Sequence, residues 1–205
     1  MSTRVLLATR NANKLAELRR ILAEAGLDGF EVVGMSDVEP FDEAPETGVT
    51  FEENALAKAR DAARATGLAS VADDSGLTVD ALNGMPGVLS ARWAGAHRDD
   101  AANLRLVLDQ LADVPDERRG AAFTCAVALV VPGAEPHEVV LRREWRGTLV
   151  REPRGENGFG YDPIFVPEGE RRTSAELSPE EKNAVSHRGK ALRALVPHLR
   201  ELAQR

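Results

Sequence analysis

The segment Val71-Ala72-Asp73-Asp74-Ser75-Gly76 brings two adjacent carboxylates and a hydroxyl to the end of a short apolar run. Side chains on an extended segment alternate between faces, so Asp73 and Asp74 can share one ligand position only if the backbone turns there. Gly76 is expected to supply that turn. Two like charges this close raise the pKa of one of them, a cost that a bound hard cation such as Mg²⁺ removes. Taken alone, the segment also reads as a solvated Asp-Ser-Gly turn. The surrounding sequence decides between the two.

Four further polar clusters accompany it. Thr9-Arg10-Asn11-Ala12-Asn13-Lys14 offers a hydroxyl, two side-chain amides, backbone amides and an ammonium at a strand-to-helix passage, where a phosphate is welcome. It lacks the glycines of a Walker loop, and it is equally an Asn-capped helix start. Glu46-Thr47-Gly48 is followed by Asn54 and Lys58, which share one helix face, so Lys58 can reach a phosphate. Glu46 closes an acidic stretch from Asp42 whose carboxylates spacing alone does not rank. Asn157-Gly158-Phe159-Gly160-Tyr161-Asp162-Pro163 sets glycines around a ring that can stack on a base, or simply makes a packed turn. Glu181-Lys182-Asn183 with Ser186-His187-Arg188 groups hydrogen-bond donors at a helical hinge, or forms an exposed basic surface.

The elements that must position these clusters follow from hydrophobic period and punctuation. Arg4 to Ala8 reads as a buried strand, and Leu15, Leu18, Ile21, Leu22 and Ala25 give a helix ended by Gly26. Thr50 caps an alanine-rich helix to about Thr66, with its hydroxyl aimed at the amide of Glu53. Asn83-Gly84 and Pro86-Gly87 mark turns, and Leu104, Val107, Leu108 and Leu111 mark a third helix. Phe123–Val131 and Val139–Leu149 read as an antiparallel pair, and Ser178-Pro179 opens the final helical region. All five clusters fall at strand ends or helix starts, where α/β proteins bind ligands.

Composition narrows the class. The chain has 205 residues, 43% of them hydrophobic, and is read as one α/β domain over residues 1–205 with an ample core. A formal net charge of −7 argues against a partner nucleic acid held by bulk electrostatics. Cys125, the single cysteine, lies in an apolar run and is expected to be a buried thiol rather than a nucleophile. No stretch has the length of a membrane span or the form of a signal peptide, so a cytoplasmic location is expected. Metal ligands, phosphate donors, a stacking ring and base-edge donors together describe an enzyme of nucleotides.

On these motifs, taken in order, the chain resembles the inosine triphosphate pyrophosphatase family, which acts on non-standard purine nucleoside triphosphates. The resemblance extends over essentially the whole sequence. One departure is visible: Arg10 stands where the family's first motif usually has glycine, which puts the loop's local conformation in question and offers an extra phosphate contact. The resemblance implies a mixed central sheet with flanking helices, two lobes around a nucleotide cleft, and a homodimer. It implies Mg²⁺-dependent cleavage of ITP, dITP and XTP between the α and β phosphates, releasing pyrophosphate. Glu46 and Asp74 are then the metal ligands, Asp74 the general base and Asp73 its support. Substrate is bound by Thr9, Arg10, Asn11, Ala12, Asn13, Lys14, Lys58, Ser75, Phe159, Gly160, Tyr161, Asp162, Lys182, His187 and Arg188.

Physical chemistry supports that division of labour. Triphosphate hydrolysis accumulates charge on the leaving pyrophosphate, for which Lys14, Lys58 and Lys182 are the available cations. Hypoxanthine and xanthine present a 6-oxo acceptor to donors such as His187 and Arg188, whereas adenine presents a donor. Each buried mismatch costs about 1–3 kcal/mol, so a few would exclude ATP. The residue that excludes GTP is not legible. Three other readings remain: a haloacid dehalogenase type phosphohydrolase, whose Asp-x-Asp motif is missing after the first strand; a nucleotide sensor without turnover; and a related septum-inhibitor pyrophosphatase with another base preference.

Overall fold

A computed structural model describes residues 3–27, 29–43, 45–96 and 99–203. Ala44, within the acidic stretch singled out above, lies outside the described residues. The strands are β1 (Thr3–Leu7), β2 (Phe30–Val33), β3 (Ala69–Val79), β4 (Gly120–Val131), β5 (His137–Leu149) and β6 (Phe165–Pro167). The helices are α1 (Ala12–Glu24), α2 (Phe51–Thr66), α3 (Asp100–Gln110), α4 (Pro179–Val185) and α5 (His187–Leu202), with short 3₁₀ turns between them. One six-stranded sheet runs in the order β2-β1-β3-β4-β5-β6. It is mixed, as expected: β1 pairs in parallel with β2 and β3, and β5 pairs antiparallel with β6. β4 and β5 are neighbours joined only by residues 132–136, too short a connection for a parallel crossover. Among the described residues no helix is long and apolar enough to cross a membrane.

The chain folds as two compact units, each assembled from separate segments. The first comprises Met1–Asp74, Ala126–Arg142 and Gly189–Arg205. Its parallel strands β1 and β2 are connected through α1, and Val5, Leu6 and Leu7 pair with Ala69, Ser70 and Val71 of β3. Leu6, Val33, Met35 and Ala62 form one of its buried clusters. The second comprises Ser75–Cys125 and Arg143–Arg188. Its core holds Leu77, Val107, Leu111 and Ile164 around an aromatic group, in which Phe165 meets Phe123 edge-on at 4.7 Å and Trp145 at 5.5 Å. Cys125 is buried, as expected.

Local chemistry sets the helix ends. Thr50 accepts a hydrogen bond from the Glu53 amide, and Gly67 closes α2 in the left-handed region at φ 69°. Ser178 and Glu181 form a reciprocal capping box at α4. Ser186, extended at ψ 156°, separates α4 from α5, which is the hinge expected there.

The turn expected at Gly76 does not exist. β3 continues from Ala69 through Asp73, Asp74, Ser75 and Gly76 to Val79. Glycine serves close packing here: a Cβ at Gly76 would lie 2.6 Å from the Gly87 carbonyl oxygen and 2.9 Å from Ser90 Cβ. Because the strand does not turn, Asp73 and Asp74 keep the alternation of an extended chain and meet different helices.

Candidate active site

In the first unit, two carboxylates of β3 are held by two helices. Asp73 is almost fully buried, and Lys14 of α1 donates to its Oδ2 at 2.7 Å. Asp74 is partly buried and looks towards α2, where Asn54 Nδ2 donates to Oδ2 at 2.9 Å and Lys58 Nζ lies 3.5 Å from Oδ1. The same ammonium donates to Glu46 Oε1 at 2.9 Å, so Lys58 joins the two carboxylates to which metal binding was assigned. The spacing of Asn54 and Lys58 does place both on one face, as the sequence implies.

The charges in this group are not independent. Burial raises the pKa of Asp74 above its ordinary value, and the charges of Glu46 and Asp73 push the same way, against Lys58 and the Asn54 hydrogen bond. Burial alone would lower Lys58, but the carboxylates of Asp74, Glu46 and Asp73 outweigh it and hold the ammonium charged. An acidic group short of positive charge is the electrostatic setting in which a divalent cation or a proton is welcome.

The polar side chains of the turn after β1 make local hydrogen bonds and one exposed ion pair. Asn11 is the N-cap of α1, its Oδ1 accepting from the amides of Asn13 at 2.9 Å and Lys14 at 3.4 Å. Thr9 Oγ1 accepts from the Asn11 amide. Arg10 forms an exposed pair with Glu43, Nη2 to Oε1 at 2.9 Å, while Ala12 and Asn13 occupy the exposed first turn. The loop therefore tolerates arginine without a strained backbone: the described residues with positive φ do not include Arg10.

In the second unit, Ser75, Phe159, Gly160, Tyr161, Asp162, Lys182, His187 and Arg188 all line one cavity of about 120 Å³. Phe159 is the exposed aromatic surface there, 66% accessible, with Lys182 Nζ 5.3 Å from its ring centre. Asp162 is buried and organises the loop: its Oδ2 accepts from the Phe159 amide and from Lys182, and its Oδ1 accepts from Ser174 Oγ at 2.7 Å. Gly158, at φ 78°, has no room for a Cβ beside that carboxylate. His187 stacks on Phe123 with ring centres 5.2 Å apart and planes 15° from parallel. Tyr161 OH donates to the Ser90 carbonyl at 2.8 Å, and burial pushes the phenol pKa well up, so it contributes a neutral wall.

Sequence reasoning left several of these partners out. Asp100 Oδ2 accepts from the Gly160 amide at 3.0 Å, Ser90 anchors Tyr161, Phe123 backs His187 and Ser174 holds Asp162. Nothing in local spacing marks them, since each meets its partner only through the fold.

The sequence model of the Ham1 family matches residues 5–198. The chain belongs to the Ham1 family. A dITP/XTP pyrophosphatase of Nocardia farcinica is 68% identical over 202 residues, covering 98% of this chain and 97% of the relative. Among solved structures, a nucleoside-triphosphatase/dITP/XTP pyrophosphatase from Mycobacterium abscessus is 62% identical with a TM-score of 0.82, the match covering 96% of this chain and all of that one. A HAM1 protein from Coxiella burnetii is 45% identical with a TM-score of 0.87, covering 97% and 99%. The mixed sheet with flanking helices is thus shared with Ham1 structures of known fold.

Proposed function

We propose that this chain hydrolyses ITP, dITP and XTP to the monophosphate and pyrophosphate, clearing deaminated purines from the nucleotide pool. The observation that carries the reading is the bridging of Glu46 and Asp74 by one cation, the Lys58 ammonium, with the pKa of Asp74 raised chiefly by burial. The names of the relatives carry two of these substrates, dITP and XTP.

Glu46 and Asp74 suit Mg²⁺. Both are hard oxygen donors, and the two share the one Lys58 ammonium, which leaves the pair with negative charge that a divalent cation would offset. Mg²⁺ takes one or two carboxylates and completes its shell with water and phosphate. Bound there, Mg²⁺ would neutralise phosphate oxygens and acidify water.

The protein's own groups divide the remaining work. Asp74 accepts the proton of the attacking water, with one oxygen held by Asn54. Lys14 and Lys58 stand on the carboxylates of Asp73, Glu46 and Asp74, from which they can share their protons with phosphate oxygens. In the second unit Phe159 supplies a stacking face, and His187 and Arg188 supply donors for a 6-oxo purine.

The test is a Mg²⁺-dependent assay on ITP, dITP, XTP, GTP and ATP with pyrophosphate and orthophosphate measured separately. Pyrophosphate from the first three with little from ATP supports the reading. Orthophosphate as the product, or activity that persists in excess chelator, overturns it.

A further inference from the structure

Asn54 is neither metal ligand, base nor substrate contact in the roles given above, yet it reaches both Asp74 and the loop that carries Glu46. It sits in the second turn of α2, 2% accessible. Its Oδ1 accepts from the Gly48 amide at 2.8 Å, and its Nδ2 donates to Asp74 Oδ2 at 2.9 Å. The orientation of the amide is fixed by chemistry: a backbone N–H can only donate, so Oδ1 must face Gly48, and the amino group must face the carboxylate. Gly48 makes the approach possible, since a Cβ there would lie 2.6 Å from Asn54 Oδ1 and 3.0 Å from the Asn54 backbone nitrogen.

We propose that Asn54 is a positioning residue that clamps the Glu46-Thr47-Gly48 loop to Asp74 and decides which oxygen of Asp74 is presented for reaction. This rests on the reading of Asp74 as the base. A carboxylate is free to exchange its oxygens by rotation about its terminal torsion, which is broad and two-fold. The Asn54 hydrogen bond holds Oδ2, leaving Oδ1 towards Lys58. The other end of the amide holds Gly48, two residues beyond Glu46, and so fixes the segment that delivers Glu46 to the same ammonium. No other uncharged side chain of this length combines one acceptor and one donor across a planar amide. Ionised aspartate keeps the acceptor, loses the donor and sets a second carboxylate against Asp74, so its effect is read at a pH high enough to ionise it; alanine loses both.

The experiment compares Asn54→Asp, Asn54→Ala and Asp74→Asn with the unmodified protein. It follows ITP turnover, thermal melting and amide hydrogen exchange over residues 46–50. Exchange and melting are read without Mg²⁺ or nucleotide. Partners that orient a ligating or catalytic carboxylate are worth about 10–100-fold. In Asn54→Asp, kcat should therefore fall by about that factor with KM changed by less than about threefold, while exchange over 46–50 remains slow. In Asn54→Ala, kcat should fall similarly and exchange should quicken. Near-normal kcat in both variants, with Asp74→Asn inactive, overturns the positioning role. Losses of kcat that merely follow loss of fold by melting also overturn it, as a structural role would produce them. Full activity in Asp74→Asn instead removes the base reading on which the proposal stands.

Discussion

Replacing Gly76 by alanine tests the reason β3 runs straight through the acidic centre. The new Cβ would press on Ser90 and on the Gly87 carbonyl at 2.6 Å, and the carbonyl belongs to backbone that cannot rotate away. Overpacking of this kind costs about 1–3 kcal/mol. Ser90 Oγ also accepts from the Leu77 amide at 2.9 Å and donates to the Gly87 carbonyl at 2.6 Å. If Ser90 is pushed aside, the buried amide loses its acceptor, which adds about 1–3 kcal/mol. The sum, about 2–6 kcal/mol, corresponds to a fall in melting temperature of about 5–20 °C for a chain of this size. The same displacement moves the Ser90 carbonyl that anchors Tyr161. Affinity for ITP should therefore weaken in the variant at temperatures where it remains folded. Scanning calorimetry on Gly76→Ala, Ser90→Ala and the double variant isolates the contact. Ser90→Ala removes Oγ but leaves the Gly87 carbonyl, so the double variant should be less destabilised than the sum of the singles while still melting below Ser90→Ala. Melting of Gly76→Ala within about 1 °C of the unmodified protein, well inside the shift expected from overpacking, would refute the packing argument.

Asp74→Asn should raise stability in the absence of metal at neutral pH. The pKa of Asp74 is raised above 3.8 in the folded protein, so the folded state holds its proton longer than the unfolded chain does. The favourable contribution is complete below about pH 4 and is lost as pH rises through the higher folded value. The melting difference between variant and unmodified protein should vanish in acid and open as pH rises. A difference that is constant with pH would contradict the charge argument. Phe159→Ala removes the exposed stacking ring, and ITP, XTP and GTP should all bind more weakly by about 1–3 kcal/mol in titration calorimetry; loss confined to one base would refute a stacking role. Arg188→Ala should narrow the ratio of kcat/KM for ITP over ATP, and an unchanged ratio would place base reading elsewhere.

What the sequence determined by itself is local. The caps at Thr50, Asn11 and Ser178 close hydrogen bonds within three residues, and the left-handed glycines Gly26 and Gly67 end α1 and α2 where the hydrophobic period stops. These contacts depend only on neighbours along the chain, so spacing encodes them. The placement of Asn54 and Lys58 on one face was legible for the same reason.

Tertiary structure decided what spacing could not. Gly76 looked like a turn because glycine in sequence signals freedom of φ; in the fold it leaves room for Ser90 and Gly87, contacts visible only once the 3₁₀ segment Gly87–Arg92 lies against the strand. Lys14 meets Asp73 across 59 residues, Asn54 meets Asp74 across 20, and Tyr161 meets Ser90 across 71. A side chain's charge and hydrogen-bonding capacity are fixed by its type. Which buried partner it satisfies is fixed by the closing of the chain, because the cost of leaving a buried donor or carboxylate unpaired arises only after burial.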